Sequence, residues 1–595
     1  TASNAVLNFF TGEFGDFAGL PATSEWVHAG EADSVHAVRL QVHDYDGTGR
    51  FTVQFDLNEE TFGPVDQKRA VAHFERLLDA VLADPDAAVG SAELLADAER
   101  EAIVTDFNTP AAGEELPTSS VVELFDGRAA ASPDRIAVRQ GQRELSYEAL
   151  RRQANALATT LIGKGVSPGT PVAVFMRRSL EAVIAILAVL KARGAYIPVD
   201  PGNPAKRNRH IIEDSGAAMV LISGDVEDGR PDTGIPLVSV GDSRVAEDTP
   251  TDNPAPPQLA DPAYMIYTSG STGLPKGVPI THGGLADYLE WAARQYVRGE
   301  QFTFPLFTSL SFDLTVTSLY LPLITGGTLE VYEEPGGPVD SAVMDVIRDN
   351  RADFIKLTPS HLSLLRQMDL STSRLRCMVV GGEDFKTHLA AAISSQFGDR
   401  IEIYNEYGPT EAVVGCMIHR YDPAADTAAS VPIGRPADHV QLYVLNECLA
   451  PVPEGVPGEL CIARHGLARG YHRREELTAR QFVRHPLAEN QRLYRTGDLV
   501  RFVKPGCLDY LGRIDRQMKV SGHRVEAGEI EAALLSHPDV HDGVITLTGP
   551  ASRSAGHDAE LQVCGRCGLA SDYPGAEFDA DGICGVCRSF ESIRE

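Results

Sequence analysis

The stretch 267–277, which reads YTSGSTGLPKG, constrains the fold more than any other part of this sequence. It follows AYMIY, a run with the composition of a strand end. A Gly/Ser/Thr loop after a strand exposes backbone N–H groups and hydroxyl donors, and Lys276 adds a positive charge. These groups suit a polyphosphate. The alternative is a flexible polar linker, but a linker needs neither the lysine nor the strand, and the spacing does not fit GxxxxGK[ST].

Strands and helices alternate before this loop. PVAVFM (171–176) and AYIPVD (195–200) read as strands, and SLEAVIAILAVLKARG (179–194) between them reads as a helix closed by Gly194. The strand–helix–strand order predicts an α/β fold with a mostly parallel sheet.

Composition narrows the class of protein and of partner. A chain of 595 residues should hold several domains, and 43% hydrophobic residues is ordinary for a globular protein. The net charge of −30 argues against nucleic acid or an acidic membrane surface as the main partner. We find neither an apolar run long enough to span a bilayer nor a signal peptide, so we expect a cytoplasmic protein.

Further motifs follow the loop in a fixed order. They are SFDLTVTSLYLPLITGG (311–327), NEYGPTE (405–411), GELCIARHGLARGY (458–471), YRTGDL (494–499) and GRIDRQMKVSGHRVEAGEIE (512–531). Together with the loop, they resemble the adenylate-forming superfamily, in particular the adenylation domains of nonribosomal peptide synthetases. The resemblance implies a large core of α/β subdomains with a small β-barrel-like part, followed by a small C-terminal α+β subdomain.

The resemblance also implies a site for ATP and Mg²⁺. Tyr407 would supply a flat face for adenine, Glu411 a carboxylate for Mg²⁺, and Asp498 an acceptor for the ribose hydroxyls. Lys276, Thr268, Glu411 and the hinge residue Asp515 are the expected catalytic residues. The implied nucleotide-binding set is Thr268, Ser269, Gly270, Ser271, Thr272, Gly273, Lys276, Tyr407, Thr410, Glu411, Asp498 and Arg513.

The positions that form the substrate pocket in this family can be matched to residues of this sequence through the shared motifs. Asp313 stands where amino-acid-activating members keep an acid for the α-ammonium group, so the resemblance implies an α-amino acid. The other pocket positions are Leu314, Thr317, Lys356, Val379, Gly381, Glu406, Val414 and Gly415.

Lys356 and Glu406 are the two charged positions beyond Asp313. A carboxamide would accept from Lys356 and donate to Glu406, whereas a carboxylate would be repelled by Glu406. This favours asparagine, with aspartate next, and the pocket string also resembles asparagine-type codes. The alternative is a structural ion pair between Lys356 and Glu406, with a small neutral substrate.

Both ends of the chain depart from a simple adenylation domain. Residues 1–105 resemble the C-terminal part of a condensation domain without its HHxxxDG motif; a small independent α/β domain is the alternative. The adenylation core is expected over 106–514 and the start of the small subdomain over 515–555. The NGK-type motif that carries the family's C-terminal catalytic lysine does not occur in 536–595.

Nine cysteines divide into two groups. Cys377, Cys416, Cys448, Cys461 and Cys507 are scattered, and we expect them to be buried small hydrophobic residues. The other four, within an element spanning 556–595, have the spacing CxxC–x₁₆–CxxC and predict a structural Zn²⁺ site at Cys564, Cys567, Cys584 and Cys587. Redox-active pairs or an iron–sulfur cluster are the alternatives.

This cysteine segment resembles the zinc-binding lead-in of N-acetyl-sugar amidotransferase-like ATP pyrophosphatases. We therefore hypothesise that an amidotransferase-like domain interrupts the small subdomain.

The expected reaction has two steps. A carboxylate attacks the α-phosphate of ATP, and the acyl group then passes to the phosphopantetheine thiol of a carrier domain. Neighbouring synthetase domains and an MbtH-like protein are further expected partners. A non-catalytic scaffold, favoured by the absent lysine, and an acyl-CoA ligase relative, disfavoured by Asp313, are the alternatives.

Overall fold

The computed structural model describes residues 5–11, 18–20, 36–44, 49–109, 115–224, 233–241, 254–270, 274–334, 342–398, 400–488, 491–504, 506–515, 517–520 and 523–527, with residues 530, 531, 534, 540 and 545. The chain divides into two compact units, Thr1–Gly543 and Val544–Glu595. All elements below belong to the first unit. The second unit, which contains the predicted zinc cysteines, lies outside the described residues except for residue 545.

A three-stranded sheet and one long helix open the chain. They are β1 (Ala5–Thr11), β2 (Val38–Asp44), β3 (Thr52–Leu57) and α1 (Pro64–Ala83). β1 runs parallel to β2, and β2 pairs antiparallel with β3. None of the side chains of α1 is fully buried, and Leu82 is 70% exposed.

Two sheets form the first half of the core. The elements in chain order are α2 (Asp97–Arg100), α3 (Val121–Ala131), β4 (Ile136–Gln140), β5 (Arg143–Ser146), α4 (Tyr147–Gly163), β6 (Pro171–Phe175), α5 (Leu180–Lys191), β7 (Ala195–Val199), α6 (Ala205–Ser215), β8 (Met219–Ile222), β9 (Leu237–Ser239), β10 (Pro262–Thr268), β11 (Lys276–Thr281), α7 (His282–Ala292), β12 (Thr303–Leu306), α8 (Leu314–Thr325) and β13 (Thr328–Val331). One sheet has the order β11-β10-β7-β6-β8-β9 and the other β12-β13-β4-β5. All strand pairs of the first sheet are parallel except β10–β11.

The apolar helix α5 shows why the two sheets lie together. It is buried on every side except at Glu181, and it contacts β6 and β7 of one sheet and β4 of the other. A helix that is hydrophobic all round must be covered on all faces, and α4 together with the two sheets provides that cover.

Two further sheets complete the core. The next elements are α9 (Ala342–Asp349), β14 (Phe354–Leu357), α10 (Pro359–Leu365), β15 (Cys377–Gly381), α11 (Thr387–Phe397), β16 (Glu402–Tyr407), β17 (Met417–Arg420), β18 (Arg435–Pro436), β19 (Val440–Leu445), β20 (Gly458–Arg464), α12 (Glu475–Gln481), β21 (Phe482–Arg484), β22 (Arg492–Lys504), β23 (Cys507–Arg513), β24 (Gln517–Val520) and β25 (His523–Glu526). Strands β14 to β18 form one sheet in sequence order. The antiparallel sheet β19-β20-β22-β21, with β23 on β22, forms the other, and β24 and β25 form a separate hairpin.

The structure differs from two local expectations. Helix α5 ends at Lys191, and the left-handed residue after it is Arg193 (φ 63°), not Gly194. A Cβ on Gly194 would lie 3.1 Å from the carbonyl oxygen of Thr170, so the glycine is needed for close packing. Cys448 is exposed rather than buried, because it lies in a turn closed by Asn446; the other four scattered cysteines are buried.

Within the described ranges, the helices are too short or too polar to cross a bilayer.

Candidate active site

A cleft opens at the end of β10, where the glycine-rich loop begins. Its cavity of about 170 Å³ is bordered by loops from several sheets. Crevices at the carboxyl ends of strands are the usual ligand sites of open α/β sheets. The predicted residues that line it are Thr268, Ser269, Asp313, Tyr407, Thr410, Asp498 and Arg513. Gly270 ends the described part of the loop, and Ser271, Thr272 and Gly273 lie outside the described residues.

Thr268 carries the clearest sign of a ligand. Its side chain is 8% exposed, and its Oγ1 has no hydrogen-bond partner among the described residues. Leaving a buried hydroxyl unpaired costs about 1–3 kcal/mol, which a bound ligand oxygen or metal would recover. Thr268 therefore fits a group that enters the cleft.

Lys276, Glu411 and Tyr471 form a buried group beside the glycine-rich loop. Lys276 begins β11 directly opposite Thr268, and its Nζ lies 3.9 Å from Glu411 Oε1 and 4.3 Å from the centre of the Tyr471 ring. The Tyr471 hydroxyl donates to the same Glu411 oxygen at 2.7 Å. The sequence motif that ends in RGY contains Tyr471, but the motif alone gave it no role.

The residues present fit Mg²⁺ and a polyphosphate. Glu411 is fully buried and offers carboxylate oxygens, and Thr268 offers the unpaired hydroxyl. Mg²⁺ prefers such oxygens and usually takes only one or two carboxylates, together with phosphate and water. Accordingly, no cluster of three or more His, Cys, Asp or Glu side chains suited to a metal occurs in the part of the chain described.

Asp498 anchors the nucleotide side of the cleft. One carboxylate oxygen accepts from the Tyr407 hydroxyl, and the other accepts from Arg513 Nη1 at 2.9 Å. Burial and the Asp498 charge raise the pKa of Tyr407 well above its usual value, so this phenol remains a donor. Arg513 also donates to Asp515, the predicted hinge residue, at 2.8 Å. The carboxylate that was expected to meet a ribose is thus held in place from two sides.

Lys356 and Glu406 form a buried ion pair, and neither is among the residues that line the cleft. Lys356 Nζ contacts Glu406, and it also donates to the hydroxyls of Tyr288 at 3.0 Å and Thr317 at 2.9 Å. Both charged side chains are at most 3% exposed. The Tyr296 hydroxyl donates to Glu406 Oε2, and Tyr288 lies 3.2 Å from Glu406 Oε1. The three hydrogens of the ammonium group are therefore matched by three oxygens.

Sequence analysis did not identify Tyr288 and Tyr296. Burial and the Glu406 charge raise the pKa of each hydroxyl well above the usual value, so both stay protonated and donate. Tyr288 lies on α7, and Tyr296 lies in the turn that follows it. Each is more than 100 residues from Glu406 in the chain. Their spacing in the sequence carries no sign of this contact.

Neighbouring strands bring the other pocket positions together. Lys356 of β14 lies opposite Val379 of β15, and Gly381 of β15 lies opposite Glu406 of β16. Leu314 and Thr317 belong to the first turns of α8, directly after Asp313. Val414 and Gly415 lie in the loop between β16 and β17.

The glycine at 415 is required by the ion pair. A Cβ there would lie 2.3 Å from Glu406 Oε1, so any side chain would displace the carboxylate. The position of the Glu406 carboxylate thus depends on the backbone conformation of the β16–β17 loop.

Comparison with known proteins identifies the family. Residues 125–472, more than half of the chain, match the family of AMP-binding enzymes. The chain belongs to the AMP-binding enzymes. It is 44% identical to bacitracin synthase 3 of Bacillus licheniformis over 80% of this chain, and 40% identical to tyrocidine synthase 3 of Brevibacillus parabrevis over 83%. It spans only 7% and 8% of those two proteins.

Solved structures agree with this assignment. The AMPPNP-bound form of the nonribosomal peptide synthetase FmoA3 is 28% identical, with a TM-score of 0.73, over 86% of this chain and 55% of that one. NpsA-ThdA, an artificially fused adenylation–PCP di-domain from Klebsiella oxytoca, is 28% identical, with a TM-score of 0.64, over 72% of this chain and 85% of that one. The expected α/β adenylate-forming fold is therefore confirmed.

Proposed function

We propose that this adenylation domain activates an α-amino acid with ATP and passes it to a carrier domain. The substrate carboxylate attacks the α-phosphate, pyrophosphate leaves, and the acyl group then moves from the adenylate to a phosphopantetheine thiol. Asp313, at the cleft wall, would hold the α-ammonium group. Catalysis of the first step rests on positioning and on the neutralisation of charge.

Each predicted catalytic side chain has a separate task in this reaction. Thr268 and the loop amides would bind phosphate oxygens, and Lys276 would balance the charge around Glu411. Glu411 would hold Mg²⁺, which supplies electrostatic stabilisation of phosphate charge when bound. Asp498 would accept hydrogen bonds from the ribose, and Asp515 would act as the hinge of the small subdomain.

We propose asparagine as the substrate, with aspartate next. The observation that carries this proposal is the buried Lys356–Glu406 pair, which places a strong donor and a strong acceptor side by side. A carboxamide has both matching groups, whereas a carboxylate would meet the charge of Glu406. Binding would exchange one of the Lys356 contacts for the substrate carbonyl.

A small neutral amino acid is the second candidate. The Lys356 ammonium already has three oxygen partners, so the cluster is satisfied without a substrate. Such a cluster would form the closed end of the pocket and would make no hydrogen bond to the substrate side chain. The choice between these candidates depends on whether the substrate displaces a partner of Lys356.

Amino-acid-dependent ATP–pyrophosphate exchange tests the proposal, measured with the twenty amino acids on this chain and on the complete synthetase. We expect asparagine to exceed aspartate by about tenfold or more, since a buried site rejects a mismatched polar group strongly. Glu406→Gln should shift preference towards aspartate. Glu402→Gln, on the same strand but paired with Arg298 outside the pocket, is the matched control.

Each outcome of this panel has a distinct meaning. Aspartate far above asparagine would reject the asparagine assignment. Highest activity with a small neutral residue would favour the second candidate. No exchange with any amino acid in the complete synthetase would favour the non-catalytic scaffold.

The finer assignments at the two ends of the chain complete the proposal. Residues 1–105 would be the C-terminal part of a condensation domain, and Cys564, Cys567, Cys584 and Cys587 would bind a structural Zn²⁺ at the entrance to an amidotransferase-like insertion. Partners would be a carrier domain, neighbouring synthetase domains and an MbtH-like protein, in the cytoplasm. The order of motifs and the cysteine spacing support these assignments.

A further inference from the structure

A second buried charge cluster lies behind the amino-acid end of the cleft. Arg464, at the end of β20, is fully buried, and its Nε and Nη2 atoms lie 3.3 Å from Asp287 Oδ2. Asp287, on α7, is 2% exposed, and its other oxygen lies 2.6 Å from His439 Nδ1. Two charges removed from water this completely are expected to do more than pair with each other.

The free side of the guanidinium points to one loop. Arg464 Nη1 donates to the carbonyl oxygens of Ala412 at 2.7 Å, Val413 at 3.0 Å and Gly415 at 3.0 Å. One cationic nitrogen thus holds three of the four carbonyls between residues 412 and 415. Hydrogen bonds from a charged donor are stronger than those from a neutral one.

The loop that Arg464 holds is strained. Val413 has φ 64° and Val414 has φ 63°. Left-handed backbone is unfavourable for β-branched residues, and two such residues in succession persist only where the surroundings impose them. The three carbonyl contacts of Arg464 are such a constraint.

This loop also forms the seat of the substrate-facing ion pair. Gly415 lies directly against Glu406, whose carboxylate would be 2.3 Å from a Cβ at that position. A shift of Gly415 would therefore move Glu406 and change the polar end of the pocket.

The metal-binding end of the same loop has its own anchors. The Glu411 carbonyl accepts from the Ala468 N–H at 2.9 Å, and the Glu411 carboxylate accepts from Tyr471. Loss of Arg464 should therefore disturb residues 412–415 while Glu411 stays in place.

We propose that Arg464, neutralised by Asp287, is a positioning residue that sets amino-acid binding. It holds Val413–Gly415 in a strained path and thereby fixes Glu406, without contacting the substrate. This role rests on the amino-acid activation proposed above, because Glu406 matters only if it faces a substrate.

The test uses the complete synthetase and compares Arg464→Met, the double variant Arg464→Met/Asp287→Leu, and Arg469→Met as a control. The double variant removes the unpaired buried carboxylate that could unfold the single variant. Arg469 is exposed, and its side chain donates to the Ala260 carbonyl. Pyrophosphate exchange gives the KM for asparagine and the KM for ATP, and hydrogen–deuterium exchange reports on residues 412–416.

We expect faster amide exchange at residues 412–416 in both Arg464 variants. The KM for the amino acid should rise roughly ten- to hundredfold, because small misplacements of a binding group have effects of this size. The KM for ATP should change by less than about twofold, and Arg469→Met should match the wild type.

Three outcomes would overturn the inference. The first is that residues 412–416 of the folded double variant exchange their amide hydrogens as slowly as in the wild type. The second is an unchanged KM for the amino acid. The third is a KM for ATP that rises as much as the KM for the amino acid. If none of the amino acids tested supports pyrophosphate exchange by the wild-type synthetase, the proposed function is rejected instead. In that case the amide exchange of residues 412–416 would still decide whether Arg464 holds the loop.

Discussion

At the scale of single residues, burial decides which form of each polar group the site uses. The phenols of Tyr288, Tyr296 and Tyr407 all lie beside carboxylates in the interior, and burial is the largest cause of their raised pKa values. Each phenol is therefore fixed as a donor to a carboxylate. The polar ends of the cleft owe their geometry to these neutral hydroxyls as much as to the charged residues.

His282 gives a prediction for pH. It is fully buried at the start of α7, both ring nitrogens lack hydrogen-bond partners among the described residues, and burial lowers its pKa to about 4. Between about pH 6.5 and pH 4, this histidine is protonated in the unfolded chain but neutral in the folded chain. The free energy of unfolding should therefore fall as pH falls through this range.

The measurement is urea unfolding of wild type and His282→Phe from pH 7 to pH 4. We expect the free energy of unfolding of the wild type to fall by up to about 3 kcal/mol more than that of the variant over this range. His388→Gln, at an exposed position on α11, should follow the wild-type curve. Parallel curves for wild type and His282→Phe would contradict the prediction.

At the scale of elements, the site depends on loops held by elements that are distant in sequence. The β16–β17 loop carries Thr410 and Glu411, yet β20 and the segment after it supply its anchors, Arg464, Ala468 and Tyr471. The antiparallel sheet of β19 to β23 thus supports a site that lies largely on the parallel sheets.

Asn108 joins the segment at the start of the expected adenylation core to that antiparallel sheet. Its side chain accepts from the Leu442 N–H at 2.7 Å and donates to the Leu442 carbonyl at 2.9 Å, along the edge strand β19. Asn108→Ala would leave both backbone groups buried without partners. We expect it to lower the free energy of unfolding of the core by about 2–4 kcal/mol.

Chemical denaturation would measure this change, with Thr109→Ala as the control. The Thr109 hydroxyl makes one exposed bond to the Thr105 carbonyl, so its loss should change stability by less than about 0.5 kcal/mol. Equal effects of the two substitutions would mean that Asn108 does not anchor the segment.

At the scale of the whole molecule, the described core differs from the segment that precedes it. The sheet β1-β2-β3 and α1 keep large apolar side chains exposed, among them Leu7 at 63% and Phe9 at 60%. The described core, in contrast, buries its parallel strands almost completely.

The cysteine segment gives a prediction about metal content. Purified full chain should contain about one zinc ion, since four thiolates satisfy a tetrahedral Zn²⁺. Cys564→Ser combined with Cys584→Ser should abolish zinc binding, while Cys448→Ser, at the exposed scattered cysteine, should leave it unchanged. Elemental analysis would measure this, and iron, or the absence of metal from the wild-type chain, would contradict the prediction.

Much of this protein could be predicted from the sequence because the relevant patterns are local. The strands at 171–175 and 195–199 and the helix between them follow from residues within a few positions of one another. The glycine-rich loop and the motifs at Tyr407, Glu411 and Asp498 likewise carry their chemistry in short runs of sequence. Tyr407 and Asp498 line the cleft in the structure.

Only the tertiary structure decided which side chains meet across elements. Tyr288 reaches Glu406 over 118 positions, and Arg464 reaches Ala412 over 52. Periodicity shows which face of an element is apolar, but it does not show which face of another element packs against it. For this reason the glycine-rich loop could be recognised from the sequence, and the Lys356–Glu406 ion pair could be named as one of two alternatives. The contacts of Tyr288 and Arg464 required the fold.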